Sequence, residues 1–278
     1  MLRNIFIFIL SLISASSVIA AGNPITTIFP HIEFGINAKA DSFFWIEKDQ
    51  TGRTETLEYG PRLGLGLTLN NTKRPWPGII FEGRGNYYLG ATRYEGLSID
   101  QNTNAEVDAN TWTNYSWINL QGMIGQRTGK LLGDAMLDFM VGGNIDYWSR
   151  ELKAGTDGAG QQFSGVTQTF RIFTARAGVG LAGAGKGQHW RLQAGVKFPF
   201  HTTLRVSQAN LTLRPGKDIS YYGLLESNSL FYALGYKFHF SAYYEGYRFK
   251  RSPNVAYGGG VVNQAESIMH VFGVELQY

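Results

Sequence analysis

The sequence predicts an all-β chain, a closed antiparallel up-and-down β-barrel of about ten strands that crosses a membrane. Two-faced alternation over long segments points to strands. Moderate hydrophobicity without a long apolar helix points to a wall that is apolar on one face only. Long connections alternate with short ones, which points to an up-and-down ring.

Alternation is clearest from Leu57 onward. Odd positions read Leu57, Tyr59, Pro61, Leu63, Leu65, Leu67 and Leu69, while even positions read Glu58, Gly60, Arg62, Gly64, Gly66, Thr68 and Asn70. Successive side chains of a strand point to opposite faces, so the two sets face different surroundings. Leu137, Phe139, Val141, Gly143, Ile145 and Tyr147 oppose Asp138, Met140, Gly142, Asn144 and Asp146 in the same way. Trp190, Leu192, Ala194, Val196 and Phe198 alternate with Arg191, Gln193, Gly195 and Lys197. The same test predicts strands over 31–47, 56–70, 78–96, 112–127, 135–151, 167–183, 188–200, 228–239, 240–250 and 266–278. Between the eighth and ninth, a tight turn is expected near His239 to Ser241, because single-chain bacterial barrels have even strand counts.

Connections after odd strands, at 48–55, 97–111, 152–166, 201–227 and 251–265, are mostly long. Those after even strands, at 71–77, 128–134, 184–187 and the eighth turn, are short. Long extracellular loops opposite short periplasmic turns are the asymmetry of outer-membrane barrels, with both chain ends in the periplasm.

The N-terminus reads as an export signal. Met1 to Asn4 carries Arg3, Ile5 to Ile13 is almost wholly apolar, and Val18-Ile19-Ala20 closes on small residues. This is the three-part layout of a secretory leader over 1–20, cleaved after Ala20, with the barrel domain over 21–278. The apolar run falls short of the ~20 residues a spanning helix needs.

Composition narrows the function classes. There is no cysteine, which excludes disulfides, thiolate metal sites and a lipid-bearing N-terminus. Formal charge is +4, and its basic residues are scattered rather than striped, so no nucleic-acid partner is expected. Glycine is frequent, at 35 residues, and aromatics make up 14%. Phe44, Trp45, Trp76, Tyr115, Trp117, Tyr147, Trp148, Trp190, Tyr221 and Tyr222 fall near strand ends, where an aromatic girdle is expected, partial because some take the inward register. The glycine run Gly183 to Gly187 lacks P-loop spacing and reads as a turn.

At the C-terminus, Phe272, Val274, Leu276 and Tyr278 alternate with Gly273, Glu275 and Gln277. This last strand resembles the terminal signal by which Gram-negative outer-membrane β-barrel proteins are recognised by the barrel-assembly machinery. The resemblance implies location in the cell outer membrane. It also implies contact with outer-membrane lipids and lipopolysaccharide, for which Arg248, Lys250 and Arg251 are candidate phosphate partners.

Inward positions are expected to include Glu33, Lys39, Asp41, Arg62, Glu82, Arg84, Asp138, Asp146, Arg176, Arg191, Lys197, Lys237, Glu245 and Glu275. Their signs nearly balance. A ring of one sign would suit an ion-selective pore, whereas opposite charges in a narrow barrel pair and close it. The leading expectation is a surface-exposed structural or binding barrel with a closed or very narrow lumen and an unidentified extracellular ligand, recognised by loops such as 97–111 and 201–227. A small porin-like diffusion channel is the alternative, and an outer-membrane hydrolase or protease a more distant one.

Catalysis is not expected. The ten-stranded omptin proteases are similar in architecture and use acidic residues with a histidine near the outer rim. Here only His201 and His270 are expected near that rim, with Asp218, Glu226 and Glu266 in nearby loops, and no omptin-like motif surrounds either histidine. Ser267 and His270 are three apart in a strand and so point to opposite faces. His31, His189 and His239 fall at the periplasmic side. No catalytic, cofactor-binding or metal-binding residue is assigned, and no cofactor is expected.

Overall fold

The computed structural model describes residues 32–278 apart from 75, 100–102, 104, 186–187, 234–235 and 258–259. The expected leader, its cleavage after Ala20 and His31 lie outside the described residues. One compact unit covers Phe34–Tyr278. Among the described residues there is no helix.

Ten long strands form the wall: β1 (Glu33–Lys48), β2 (Thr54–Asn70), β3 (Gly78–Ile99), β4 (Glu106–Leu132), β5 (Ala135–Leu152), β6 (Val166–Gly185), β7 (Gln188–Val206), β8 (Ser220–Ala233), β9 (Tyr236–Lys250) and β10 (Glu266–Gln277). Each pairs with the strand before and after it. β10 also pairs antiparallel with β1, from Asn37↔Gln277 to Lys48↔Glu266. The pairing therefore runs round a ring in which every wall strand has two hydrogen-bonded neighbours.

Burial follows the alternation and inverts the usual sense. In β2, Glu58, Arg62, Thr68 and Asn70 are buried, while Leu63 is 68% exposed and Leu65 and Leu69 are also exposed. Leu120, Ile124, Val141, Val179, Leu192, Phe198, Phe272 and Val274 are exposed in the same way on their strands. The charged face turns inward and the apolar face outward.

Connections after even strands occupy 71–77, 133–134, 186–187 and 234–235; those after odd strands occupy 49–53, 100–105, 153–165, 207–219 and 251–265. The expected asymmetry holds for 153–165, 207–219 and 251–265, whereas 49–53 and 100–105 are shorter than 71–77. At the two-residue β4–β5 turn Gly133 has φ +57°, a left-handed conformation that glycine adopts without steric cost. The long connections carry their own pairing. Gly155–Thr156 pairs with Gln162–Phe163, and Val255–Tyr257 with Gly260–Val262. Leu211–Leu213 folds back on β7, and Gly216–Lys217 lies along β9.

Two expectations are corrected. The eighth strand is not 228–239 but Ser220–Ala233, and no turn occurs near His239 to Ser241. Those residues sit inside β9, with His239↔Gln277 and Ser241↔Glu275 in register, while Ala233 faces Tyr236 at the hairpin end. Ser220 to Ser227 hid from the alternation test because Tyr221 and Tyr222, and Leu224 and Leu225, put apolar residues on both faces. Glu226 accordingly belongs to a wall strand and not to a loop.

The second correction concerns 97–111. β3 and β4 continue pairing to Ile99↔Glu106, so most of that segment is a projecting hairpin. Its Glu106–Thr111 stretch sets Glu106, Asp108 and Asn110 against Val107, Ala109 and Thr111, a short alternation whose less polar face holds only small or β-branched side chains, so the period-two signal is weak.

The corrected register has a direct test. A short Gly/Ser epitope inserted between Ala233 and Tyr236 leaves the heat-modifiable folded band on cold gels intact. The same insertion between Phe240 and Ser241 abolishes it. Equal tolerance at both sites would restore the turn near His239.

Candidate functional site: the filled interior

Inward side chains arrange themselves in three levels between the short-turn end and the long-loop end. At the short-turn end, Arg127 on β4 holds Asp138 on β5 through Nε and Nη2, both at 2.7 Å. Arg191 on β7 reaches Glu82 on β3 at 2.6 Å and Glu226 on β8 at 3.2 Å. Arg84 contacts Glu82, Glu226 at 2.6 Å and Glu275 at 3.1 Å, and Lys39 on β1 meets Glu275 on β10 at 2.7 Å. Four cations thus meet four carboxylates drawn from seven strands. Segment 71–77 joins this level, because Arg127 also donates to the Arg74 carbonyl.

The middle level repeats the balance. Arg62 donates to both Asp41 oxygens, at 2.8 and 3.1 Å, and its guanidinium lies 4.5 Å from the Trp117 ring centroid. Glu245 accepts from Arg176 at 2.8 Å and Lys197 at 2.6 Å. Asp146 accepts from Trp117 Nε1, the Asn119 amide and the Tyr247 hydroxyl at 2.7–3.1 Å. Charge-assisted bonds of this kind compensate ions withdrawn from water only when several converge on each group.

Toward the long loops, Arg150 donates to Glu58, which also accepts from the Tyr115 hydroxyl at 2.5 Å. Gln264 of the last loop reaches Glu47 at 2.8 Å. Between and above these groups lies an apolar plug. Trp45, Trp148, Phe170 and Phe249 are buried with ring centroids 4.9–6.4 Å apart. Leu204 on β7 and Leu211 and Leu213 of the following loop pack on the same cluster. Trp45, Tyr115, Trp117, Trp148 and Tyr222 therefore belong to the interior, whereas Phe44, Trp76, Tyr147, Trp190 and Tyr221 are exposed. The space left between the polar levels is a cavity of about 50 Å³, lined by Lys39, Asp41, Arg62, Arg84, Arg176 and Glu245 among others. That is room for a few ordered waters.

Of the inward charges expected from sequence, Lys39, Asp41, Arg62, Glu82, Arg84, Asp138, Asp146, Arg176, Arg191, Lys197 and Glu275 are buried, and Glu245 is paired inside. Glu33 falls in the other compact unit, and the Lys237 side chain lies outside the described residues. Glu58, Arg127, Arg150 and Glu226 were missing from that set. The first three lie on the inward register of Arg62, Tyr115 and Asp146, so reading each alternation through to its end would have included them. Only the misplaced eighth strand hid Glu226.

The histidines do not assemble into a reacting constellation. His201 is exposed and packs edge-on to Phe173. His270 is on the outward face, its Nδ1 2.9 Å from the Tyr244 hydroxyl, while Ser267 is buried on the inward face. His189 is buried at the short-turn end. No cluster of three or more histidines and carboxylates suited to a metal occurs among the described residues. Of the Gly183 to Gly187 run expected as a turn, Gly183 to Gly185 instead end β6, paired with β7 up to Gly185↔Gln188, and Lys186 and Gly187 lie outside the described residues.

The rim is tied down separately. Asp49 Oδ1 accepts from the Thr51 hydroxyl at 2.7 Å and from the amides of Thr51 and Arg53 at 2.8 and 2.9 Å. The Thr51 hydroxyl, with those amides, holds the Asp49 carboxyl below the usual carboxylate range. Arg53 then bridges to Glu106 at 2.7 Å, joining the β1–β2 turn to the loop end of the β3–β4 hairpin.

No protein-family model and no curated protein matches the chain. Solved structures do. The outer-membrane protease OmpT from Escherichia coli superimposes with a TM-score of 0.57 at 11% identity, over 90% of this chain and 96% of that one. The translocator domain of the autotransporter NalP from Neisseria meningitidis gives 0.46 at 11% identity, over 88% of each chain. The toluene transporter TodX from P. putida gives 0.29 at 10% identity, over 91% of each. The likeness to OmpT shows that the chain has the fold of an outer-membrane β-barrel.

Two outcomes follow from the site. Asp138→Ala leaves Arg127 with an unpaired buried charge and lowers stability by about 3–5 kcal/mol, read as an earlier urea midpoint. Arg127→Met with Asp138→Leu, which removes both charges, costs markedly less. At the rim, a depressed carboxyl pKa contributes order above the unfolded value and loses it as pH falls through the folded value. Hydrogen-exchange protection of the Thr51 and Arg53 amides therefore stays flat at neutral pH and collapses only in acid below the ordinary carboxylate range. Asp49→Asn removes that acid step.

Proposed function

We propose that the chain is an integral protein of the bacterial outer membrane, a closed transmembrane β-barrel with a plugged interior that displays its long loops at the cell surface as a structural or binding protein. One observation carries this reading: charge is inside and neutralised, while the outside is apolar. On β6 the outward residues from Phe173 through Ala175, Ala177 and Val179 to Leu181 carry no charge, and Arg171 follows above them. On β9 the outward series Phe238, Phe240, Ala242, Tyr244 and Gly246 ends at Arg248. Nine residues at ~3.3 Å each, tilted by ~40°, rise about 20 Å, close to the ~25 Å apolar band of such barrels.

Hydrocarbon offers backbone groups no partners, so only a wall with every strand paired survives there. Exposed Phe44, Tyr147, Trp190, Tyr221 and Tyr278 suit the two water–lipid boundaries. The last strand, β10, presents Phe272, Val274 and Leu276 outward, which supports recognition by the barrel-assembly machinery. The two-residue connections then face the periplasm and the loops at 153–165, 207–219 and 251–265 face outward, where recognition usually resides.

The reading assigns no catalysis: its support is that His201 and His270 point outward and Ser267 inward. It also assigns no conduction: its support is that the inward charges are buried and paired and that the space between them is about 50 Å³. Single-channel recording of the refolded protein in a planar bilayer tests this, with folding verified by a heat-dependent gel shift. A silent membrane is expected, and replacing Arg62, Arg84 and Arg191 together by alanine introduces conductance steps. Large, steady steps from the unaltered protein would overturn the closed interior in favour of a diffusion channel.

A further inference from the structure

The long connections carry short strands of their own, and most of these are covered by the wall. Leu211–Leu213 lies along β7 and Gly216–Lys217 along β9. The ribbon of Gly155–Thr156 and Gln162–Phe163 is joined to β4 through Ala109↔Asp157, and the Gly158 amide donates to the Asp108 carbonyl at 2.7 Å. The ribbon of Val255–Tyr257 and Gly260–Val262 differs. Among the described residues it pairs only with itself, so both of its outer edges are open.

The base of this ribbon is fixed. The Ser252 amide donates to the Gln264 carbonyl at 3.0 Å, and the Gln264 amide to Ser252 Oγ at 2.8 Å. Gln264 reaches Glu47, Arg251 donates to the Lys48 carbonyl at 3.0 Å, and Val255 and Val262 pack on the apolar plug. The phase of its hydrogen bonds follows from its turn. Tyr257↔Gly260 closes a two-residue connection, so that pair is hydrogen-bonded and the next, Ala256↔Val261, is not. Val261 therefore directs its N–H and C=O to the outer edge, and it is 65% exposed. Native sheets blunt free edges with charge or proline. Pro253 precedes the Val255–Tyr257 edge, whereas Gly260–Val262 has neither guard. From Ser252 to Ala265 no residue is charged, while 49–53, 100–105, 153–165 and 207–219 all carry charge.

We propose that the Gly260–Val262 edge is the surface through which two copies of this chain pair, antiparallel about a two-fold axis at Val261, each Val261 N–H donating to the other's Val261 carbonyl. The proposal rests on the membrane reading above, which brings this loop of every copy to one face of a membrane. An open edge is completed by another extended strand. A second copy supplies one of matching length, because a two-fold contact is self-complementary residue for residue. Charge favours the same partner. Two molecules of formal charge +4 repel, and the uncharged ribbon lets them meet where neither places a charge. Strands this short bury far less than the ~1,200 Å² of a stable interface. Pairs therefore form at the high local density of a membrane and not in dilute detergent.

The chain has no cysteine, so single introduced cysteines report the contact in the full refolded protein in phosphatidylcholine vesicles. The heat-dependent gel shift first establishes folding and insertion for each variant. Across a hydrogen-bonded antiparallel pair the Cα atoms are ~5.5 Å apart, a separation that a disulfide spans. Under a mild oxidant, Val261→Cys is expected to form dimers about tenfold faster than Ala256→Cys on the opposite edge or Gln162→Cys on another loop, both equally open to solvent. An excess of cysteine-free wild type or of Val261→Thr suppresses that dimer. An excess of Val261→Pro, which lacks the edge donor, does not. Equal rates for the three cysteines, no suppression by wild type, or equal suppression by the proline variant overturns the pairing edge and leaves the membrane reading intact. Failure of wild type to insert into phosphatidylcholine overturns the membrane reading and this proposal with it.

Discussion

The pairing of β10 with β1 is the constraint on which the rest depends. Twelve residue pairs, from Asn37↔Gln277 to Lys48↔Glu266, join the last wall strand to the first. Without them both strands would present a row of unpaired amides and carbonyls, costly in an apolar medium and adhesive in water. With them each strand has two neighbours, and two distinct surfaces result. Alternation then assigns every side chain to one or the other, since a one-residue slip would turn Arg62 outward and Leu63 inward.

A ring of ten strands is narrow, and its inner surface must be filled by what the alternation delivers. Large polar groups deliver volume and demand partners. The short-turn level meets the demand with Lys39, Arg84, Arg127 and Arg191 against Glu82, Asp138, Glu226 and Glu275. The middle level uses Arg62, Arg176 and Lys197 against Asp41, Asp146 and Glu245. Neutrality level by level matters more than neutrality of the whole, because interactions inside a poorly polarisable interior fall off slowly and an unmatched level would repel its own members. The ion pairs also stitch strands that share no backbone bonds: Arg84 on β3 reaches Glu226 on β8 and Glu275 on β10.

How much of this was legible depends on whether a segment's two faces differ chemically. β2, β5 and most of β7 differ sharply, and their expected register agrees with the burial found. The interior charges followed from that register alone: Asp41 and Arg62 were both assigned inward although no sequence rule pairs them. β8 failed because Tyr221 and Tyr222, and Leu224 and Leu225, make both faces apolar, one against the interior and one outside. Upper β4 failed for a different reason: opposite Glu106, Asp108 and Asn110 it carries only Val107, Ala109 and Thr111, too little contrast over a short stretch. The aromatic plug was half seen. Trp45, Trp117 and Trp148 are strand-end aromatics, but only the three-dimensional register distinguishes a ring that fills the mouth from one that sits at a lipid boundary.

The plug and the polar levels divide the work of filling according to what each end adjoins. At the long-loop end the interior meets loops that are themselves partly apolar, and Leu211 and Leu213 complete the cluster around Trp45, Trp148 and Phe170. At the short-turn end only segment 71–77 is long enough to fold beneath the ring, and it contributes a backbone carbonyl to Arg127 and buried Thr72. Buried Ile80, Met123 and Met140 pack among the ion pairs in this half of the interior, so apolar side chains and charge pairing complete the filling together. The same logic extends to the outer face. Arg93 and Lys153 are neutralised by carboxylates two residues away in their own segments, Glu95 and Glu151. Beyond Arg205 at the end of β7, the connection 207–219 turns Leu211 and Leu213 inward to complete the plug and leaves Arg214 exposed.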